Sequence, residues 1–354
     1  MHTELAPTIT TPLNLAEYET LARERLDPPT WDYFAEGSAD EVTLRANSAA
    51  FGRLRLRPRV MADESPVSTA TSALGAPIKL PVLAAPTAYH GLVHPDAECA
   101  TAQGVGDAGT IMIVSLNSNR TLEDVAAAAT GPLWQQLYLT GDHEADEEIV
   151  RRAEDAGYAA LVLTVDRPVY GARERDVRNG FRLPDNLRCA NYGGTRDLRA
   201  KAWTSWAAVD WLLQHTRLPV GIKGILTAED ARIAVEHGVA AVLVSNHGGR
   251  QLDGALAGIE ALPAVSAAVE GRCEVFCDGG VRRGGDVLKA LALGARAVLL
   301  GRPIVWGLAL DGAAGVTGIL EMLHAEIERD LTLCGRRRVS DVDRSLVTSI
   351  PALP

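Results

Sequence analysis

Eight short apolar runs, nearly every one followed by polar residues and then by an amphipathic stretch, leave this chain of 354 residues few folds to choose from. The runs are Pro81–Ala88, Thr110–Ser115, Leu133–Leu139, Ala159–Val165, Pro219–Ile225, Ala241–Asn246, Glu274–Gly280 and Ala297–Arg302. Unbroken apolar character over so short a span suits a parallel strand buried on both faces. Helix-patterned segments lie between them, near 95–109, 121–130, 142–157, 205–216, 228–238, 258–271 and 284–294, with a long final one near 312–335. Thr121 ahead of Glu123 and Asp124, and Thr227 ahead of Glu229 and Asp230, supply caps and acidic first turns. Strand then helix, eight times over, predicts an α/β fold of the closed TIM (β/α)8 barrel type. An open doubly wound sheet would gather its polar residues at one switch point instead.

The first 75 or so residues follow another pattern. Leu15–Leu26 has helical spacing, Pro28-Pro29 breaks it, and Trp31-Asp-Tyr-Phe opens a second helix that Gly37 ends. The expected organisation is an N-terminal helical extension over 1–75 that packs on the barrel and contributes Tyr33, a barrel over 76–338 and a tail over 339–354. A loop rich in Gly, Asn, Arg and Pro, from Leu183 to Ala202, separates the fourth strand from its helix. Its length makes it a candidate active-site lid, disorder without function being the alternative.

A net charge of -10 and a pI near 5.4 argue against the basic surface that a phosphate backbone or anionic lipid needs, so neither nucleic acid nor membrane is an expected partner. No apolar run reaches the ~18 residues of a span, and Met1-His-Thr-Glu-Leu-Ala-Pro lacks the regions of a signal peptide, so the expected location is cytoplasmic. Five scattered cysteines fit reduced thiols, and the one close pair, Cys273 and Cys277, reads as buried structural thiols rather than metal ligands. His90 and His94 have the spacing of a helical metal pair, but Gly91 and Pro95 surround them with loop signals and no third ligand is evident. No metal site is predicted.

Loops at the carboxyl ends of barrel strands build the site, so their polar residues can be taken in order. Pro86, Thr87 and Ala88 follow the first strand, Ser115 the second, and Gln136 and Tyr138 close the third. Thr164 and Asp166 end the fourth with Arg173 beyond, Lys223 lies in the fifth, and Ser245, His247 and Arg250 follow the sixth. Asp278, Gly280 and Arg282 follow the seventh, and Gly301 and Arg302 the eighth. His247 and Arg250, separated by two glycines, pair a titratable base with an anion clamp. Glycines after the last two strands, each with an arginine, describe a phosphate cradle, the alternative being two tight turns with exposed arginines. Lys223 inside Val-Gly-Ile-Lys demands a buried partner, since an unpaired ammonium there costs several kcal/mol. Taken singly, Asp166 reads equally as a helix cap, Tyr138 as a core aromatic and Tyr33 as a helix surface residue.

Tyr33 in Trp-Asp-Tyr-Phe, Ala-Pro-Thr-Ala (85–88), Gln136-Leu-Tyr138, Leu-Thr-Val-Asp (163–166), Lys223-Gly, Ser-Asn-His-Gly-Gly-Arg-Gln-Leu-Asp (245–253), Asp-Gly-Gly-Val-Arg (278–282) and Gly-Arg-Pro (301–303) together resemble the FMN-dependent 2-hydroxy-acid oxidase and dehydrogenase family. The resemblance runs in order from about residue 14 to 338, and its 245–253 segment is highly specific. It implies FMN as cofactor and a small 2-hydroxy acid as substrate. His247 would be the base, paired with Asp166; Arg173, Arg250 and Tyr33 would hold the carboxylate, and Tyr138 the reacting oxygen. Lys223 would stand at the flavin edge that gains negative charge on reduction, a role that also supplies its buried partner. Thr87, Ala88, Ser115, Gln136, Thr164 and Ser245 would contact the ring, Asp278 the ribityl hydroxyls, and Gly280, Arg282, Gly301 and Arg302 the phosphate.

Ala88 stands where oxidase-like members tend to carry alanine and some dehydrogenases glycine, so molecular oxygen is the expected acceptor and hydrogen peroxide the product. A dehydrogenase passing electrons to a quinone or another carrier is the first rival. A barrel that binds a phosphorylated ligand or flavin without redox chemistry is the rival of another class. Asn117 and Tyr170 suggest a pocket for an acid larger than glycolate, with a polar or aromatic side chain. Absence of a haem domain or a hydrophobic insert in the 183–202 loop argues against cytochrome-linked and membrane-bound forms, and the resemblance implies a homotetramer.

Overall fold

Side-chain alternation within short strands builds the centre of the fold. A computed structural model describes residues 12–62, 64–192 and 202–349. Its helices are α1 (Leu15–Arg25), α2 (Pro28–Ala35), α3 (Val42–Gly52), α4 (Ala97–Asp107), α5 (Leu122–Ala128), α6 (His143–Asp155), α7 (Glu174–Asn179), α8 (Trp206–His215), α9 (Ala228–Glu236), α10 (Gly258–Val269), α11 (Gly284–Ala292) and α12 (Arg302–Leu333). The strands are β1 (Leu54–Leu56), β2 (Thr71–Ala73), β3 (Ala76–Ile78), β4 (Val82–Ala84), β5 (Met112–Val114), β6 (Leu133–Leu137), β7 (Ala160–Thr164), β8 (Val220–Ile225), β9 (Ala241–Val244), β10 (Glu274–Asp278), β11 (Ala297–Leu300) and β12 (Val347–Ser349). β4 to β11 are parallel and close into a barrel in the order β10-β11-β4-β5-β6-β7-β8-β9, the predicted architecture.

Leu83, Ile113, Trp134, Val162, Leu243 and Phe276 fill the barrel interior as one cluster, while their neighbours Val82, Val114, Leu133, Leu161, Val242 and Cys277 belong to the cluster beneath the surrounding helices. Two residues further along, the inward position turns polar on six strands, at Ser115, Gln136, Thr164, Lys223, Ser245 and Asp278. On the other two it becomes small, at Ala85 and Gly301. The period of two therefore puts an apolar layer below and a polar layer at the carboxyl mouth. Ala73 and Ile78 of the β2–β3 hairpin join the interior cluster and close the opposite end.

Pro28 and Pro29 break α1 as expected, but they also open α2, at its first two positions, under a cap in which Asp27 accepts from the Thr30 amide at 3.1 Å. The second helix therefore starts before Trp31. α3 and β1 were not visible as a pattern; β1 pairs antiparallel with β12, which ties the tail back to the extension.

The expected final helix near 312–335 is part of a longer element. α12 begins at Arg302, directly after β11, and kinks where Asp311 and Gly312 leave helical geometry, Gly312 at φ +54°. By length and composition α12 could cross a membrane, a feature that counting apolar runs had missed. Its most apolar window is 67% buried, against α1, α4 and α11 among others, and that packing accounts for its apolarity. Of the 183–202 segment expected as a lid, 193–201 lie outside the described residues.

Candidate active site

The loop after β9 makes a turn that L-residues resist. His247, Gly248 and Gly249 have φ of +60°, +66° and +76° in succession. Gly249 is a steric necessity, since a Cβ there would lie 2.7 Å from the Leu44 backbone, while one on Gly248 would press on the Arg302 guanidinium at 3.1 Å. His247 bears the same strain with a side chain, at a cost of order 1–3 kcal/mol, and the surroundings hold it there. Its amide donates to Ser245 Oγ at 3.0 Å. Asn246, locked to Asn47 of α3 by reciprocal bonds of 2.7 and 3.0 Å, accepts from the Gly249 amide at 3.0 Å.

This turn aims His247 Nδ1 at Asp166, where Nδ1–H donates to Oδ1 at 2.8 Å. The bond sets the tautomer: Nε2 keeps its lone pair. Burial lowers the His247 pKa against the opposing pull of Asp166, with Lys223 and Arg173 adding to the decrease, so the ring is neutral at pH 7. Burial works to raise Asp166, yet His247 and Lys223 together hold it below the usual carboxylate range. Gly224, at φ +116°, lets β8 pass this carboxylate, since a Cβ there would meet Asp166 Cβ at 2.5 Å. Asp166 stands behind the cavity wall while His247 lines it.

A second buried charge group adjoins the first through Ser245, whose Oγ takes both the His247 amide and Lys223. Lys223 Nζ donates to Ser245 Oγ at 2.7 Å and pairs with Asp278 Oδ2 at 3.2 Å, while Ser245 donates to the same oxygen at 2.9 Å. The buried partner that the sequence required for Lys223 is thus Asp278 of the protein, correcting the view that a flavin edge alone would supply it. Desolvation disfavours the ammonium, but Asp278 and Asp166 outweigh it and raise its pKa. Asp278 Oδ1 remains buried with no hydrogen-bond partner among the described residues, as does Asp166 Oδ2.

His247, Lys223, Asp278, Tyr138, Arg250 and Tyr33 share one cavity of about 690 Å³, a size that holds a cofactor and a small substrate. Pro86, Thr87, Ala88, Ser115, Thr164, Arg173, Gly280, Arg282, Gly301 and Arg302 also line it. Gln136 and Ser245 are set behind the wall. Gln136 ties three strands together, accepting from the Leu116 amide at 3.2 Å and donating to Thr164 Oγ1 at 3.1 Å.

The extension completes the mouth. Tyr33 stacks on Phe181 at 4.6 Å between centroids and lies under the Arg250 guanidinium at 5.3 Å. Arg250 donates to the Glu36 carbonyl at 3.1 Å. Arg173 donates to the Tyr170 hydroxyl and has a buried Nε without a partner among the described residues. Burial, with Arg173 close by, pushes the Arg250 pKa down, the mark of a cation that an incoming anion would stabilise.

The two expected cradle arginines part company. Arg282 lies over Trp306 at 5.0 Å, lowered in pKa by burial. The Arg302 guanidinium instead donates to the carbonyls of Phe34 (2.9 Å), Glu36 (2.9 Å) and Gly248 (3.0 Å), on the Arg250 side. Both arginines nevertheless line the one cavity. Arg302 reaches the cradle as the first residue of α12, where helix amides have no carbonyl partner of their own. Burial, together with Arg250 and Arg282, brings its pKa down to about 9, still cationic at pH 7.

The fit to FMN can be judged on these groups. An orphaned buried carboxylate oxygen suits ribityl hydroxyls, a buried ammonium suits a ring edge that gains charge, and Arg282 with the α12 amides suits a phosphate dianion. Sequence reasoning missed Arg167, Glu36, Asp176 and Phe181. The carboxyl of Glu36, on the extension, accepts the amides of Arg175 (3.1 Å) and Asp176 (3.2 Å), fastening α7 to α2. Burial and Asp176 raise its pKa to about 7.

Comparison with known proteins gives the same direction. A family model described as FMN-dependent dehydrogenase matches residues 22–349. The chain is 44% identical over 360 residues to an L-lactate oxidase of Nostoc sp., covering 96% of this chain and 99% of that one. It is 45% identical over 348 residues to glycolate oxidase 3 of Arabidopsis thaliana, covering 94% and 95%. A crystal structure of mandelate oxidase superposes with a TM-score of 0.92 at 44% identity, over 97% of this chain and 100% of that one.

Proposed function

Because the chain belongs to the FMN-dependent 2-hydroxy-acid oxidase and dehydrogenase family, we propose that it oxidises an (S)-2-hydroxy acid to the 2-oxo acid and delivers the electrons to molecular oxygen, yielding hydrogen peroxide. The observation that carries the reading is the His247–Asp166 pair at 2.8 Å, beside Arg250 and in one cavity with the Lys223–Asp278 corner. Bound FMN supplies the two-electron acceptor.

The substrate gives up two electrons and two protons, from its hydroxyl and its α-carbon. His247 Nε2 takes the hydroxyl proton, and the imidazolium that results is stabilised by Asp166. Arg250 and Arg173 hold the carboxylate, so the reacting carbon has one position relative to the base. Tyr138 keeps its proton, burial raising its pKa, and can donate to the reacting oxygen. Lys223 brings positive charge to the side of the site where bound flavin would gain negative charge on reduction. Ala88 lines the cavity, and the named relatives are oxidases, which supports oxygen as acceptor. The family resemblance adds a homotetramer to the proposal, which light scattering reads directly.

Purified holoenzyme should bleach its flavin absorbance when mixed anaerobically with (S)-2-hydroxy acids. On admission of air it should recover at least as fast as steady-state turnover, releasing one hydrogen peroxide per 2-oxo acid. Recovery far slower than turnover with an artificial acceptor would make it a dehydrogenase. Failure of every 2-hydroxy acid to bleach the flavin would refute the reading.

A further inference from the structure

Glu36 of the extension touches both halves of the carboxylate clamp. Its carbonyl accepts from Arg250 at 3.1 Å and from Arg302 at 2.9 Å. Its carboxyl, wholly buried, accepts through Oε2 the amides of Arg175 (3.1 Å) and Asp176 (3.2 Å) in α7, the helix that begins directly after Arg173. One residue thus bears on the positions of both arginines proposed to hold the substrate.

The cations around this carboxyl are engaged elsewhere. Arg175 of α7 pairs with Glu41 at 2.7 Å and with Asp32 at 3.4 Å, both on the extension. Arg250, from the turn after β9, and Arg302, from α12, donate to main-chain carbonyls. What meets the Glu36 carboxyl is a second carboxyl, that of Asp176, which also lines the cavity. Glu36 Oε1 and Asp176 Oδ1 are both buried with no donor among the described residues. Two carboxyls in one buried spot cannot both ionise, and with Oε2 taken by the amides, a proton on Oε1 gives each orphaned oxygen its partner.

We propose that Glu36 is a positioning residue: a proton shared between its carboxyl and that of Asp176 latches α7 to the extension and keeps Arg173 in register with Arg250, so that loss of the proton weakens binding of the substrate carboxylate. The inference rests on the 2-hydroxy-acid reading above. Burial and Asp176 hold the proton up to a pH of about 7, against the pull of Arg250, so the latch is closed below that pH and released above it. The Ala39 amide and the Ser38 hydroxyl still hold the Ala172 carbonyl, at 2.8 and 3.1 Å, so α7 shifts without detaching.

Titration of the oxidised flavin spectrum of the holoenzyme with pyruvate and with 2-oxopentanoate, from pH 6 to 8.5, reads the clamp without turnover. If only the latched form binds, a group titrating at about 7 sets a ceiling of roughly 30-fold on the loss of affinity across that range. The wild type should weaken about 5–30-fold, and KM should follow the same limb more than the limiting rate of flavin reduction does. Glu36→Gln keeps a donor toward Asp176 at every pH, so its affinity at pH 8.5 should stay within about threefold of that at pH 6. Asp176→Asn donates to Glu36 instead and should flatten the profile too, which serves where Glu36→Gln does not retain FMN. Hydrogen exchange over residues 174–179 should lose protection through the same window in the wild type and keep it in the variants. A wild-type affinity independent of pH overturns the proposal, as does a decline that persists in both variants. A decline centred near 9, where Arg302 titrates, also overturns it. Full protection of α7 up to pH 8.5 removes the latch whatever the substrate. Falling protection with no 2-oxo acid bound and no 2-hydroxy acid oxidised keeps the latch and removes the proposed function instead.

Discussion

Asp166→Asn tests the base most sharply, because it keeps the shape of the side chain and removes its charge. The Asp166–His247 contact of 2.8 Å is buried on both sides, with 11% and 18% of the side chains exposed. Coulomb attraction between an imidazolium and a carboxylate at that distance is about 6 kcal/mol at an effective dielectric of 20, an upper bound before desolvation. Loss of one member of a buried pair is worth about 3–5 kcal/mol. The pair reaches its full strength only when His247 has accepted the proton, so most of that loss falls on the barrier. At 1.36 kcal/mol per decade the flavin-reduction rate should drop about 10²–10⁴-fold.

The pH profile should move in a defined direction. His247 must be neutral to act, so activity rises with pH through its pKa. Burial lowers that pKa and Asp166 raises it, and asparagine removes only the second influence. The acidic limb of kcat/KM therefore shifts to lower pH in Asp166→Asn while the plateau falls. Stopped-flow reduction from pH 5 to 9, with FMN content and circular dichroism matched to wild type, measures both. A plateau within threefold of wild type, or a limb that moves to higher pH, would show that Asp166 does not serve His247.

Three further outcomes follow from the same geometry. Lys223→Met strands Asp278 with Ser245 as its remaining donor and should cost about 3–5 kcal/mol in urea unfolding, with Lys223→Met/Asp278→Asn costing less than the two single changes summed. Gly249→Ala places a Cβ 2.7 Å from the Leu44 backbone at φ +76°, so turnover should fall at least tenfold with α3 displaced; wild-type turnover would show that the turn tolerates it. Glu36 is protonated in the folded chain up to a pH of about 7 but has an unperturbed value of 4.5, so the folded state binds the extra proton between those limits. Its contribution is present below 4.5 and is lost as pH rises through about 7. Melting curves of Glu36→Gln should lack this decline, and a wild-type curve parallel to the variant's across that window would refute the assignment.

Main-chain placement was legible in the sequence, and side-chain direction was only partly so. Apolar runs ending in Ser115, Gln136, Thr164, Lys223, Ser245 and Asp278 announce both the strands and their polar ends, because alternation is a local property of the chain. Lys223 could be recognised as needing a partner from its own strand, but the partner belongs to β10, two strands away, and only the pairing of β8 with β9 and of β9 with β10 brings the two together. Arg302 lines the cavity as expected, but its partners could not be read from the sequence. Its guanidinium follows the carbonyls of Phe34 and Glu36, which depend on how the extension docks. The kink in α12 was hidden because Asp311-Gly312 sits inside a stretch apolar enough to continue on either side.

Arg167 was passed over for a related reason. It stands between Asp166, which carries the specific signal, and Pro168, which marks a loop, and a cation in that context reads as surface. Burial alone changes its meaning. At 7% exposure its guanidinium packs on the Tyr138 and Tyr170 rings, at 4.8 and 5.6 Å, contacts that no local pattern announces. The residues proposed as base, clamp and flavin corner stand in motifs whose resemblance to the family marks them along the chain. The packing of Arg167 appears only once the strand order has set Tyr138 and Tyr170 against it.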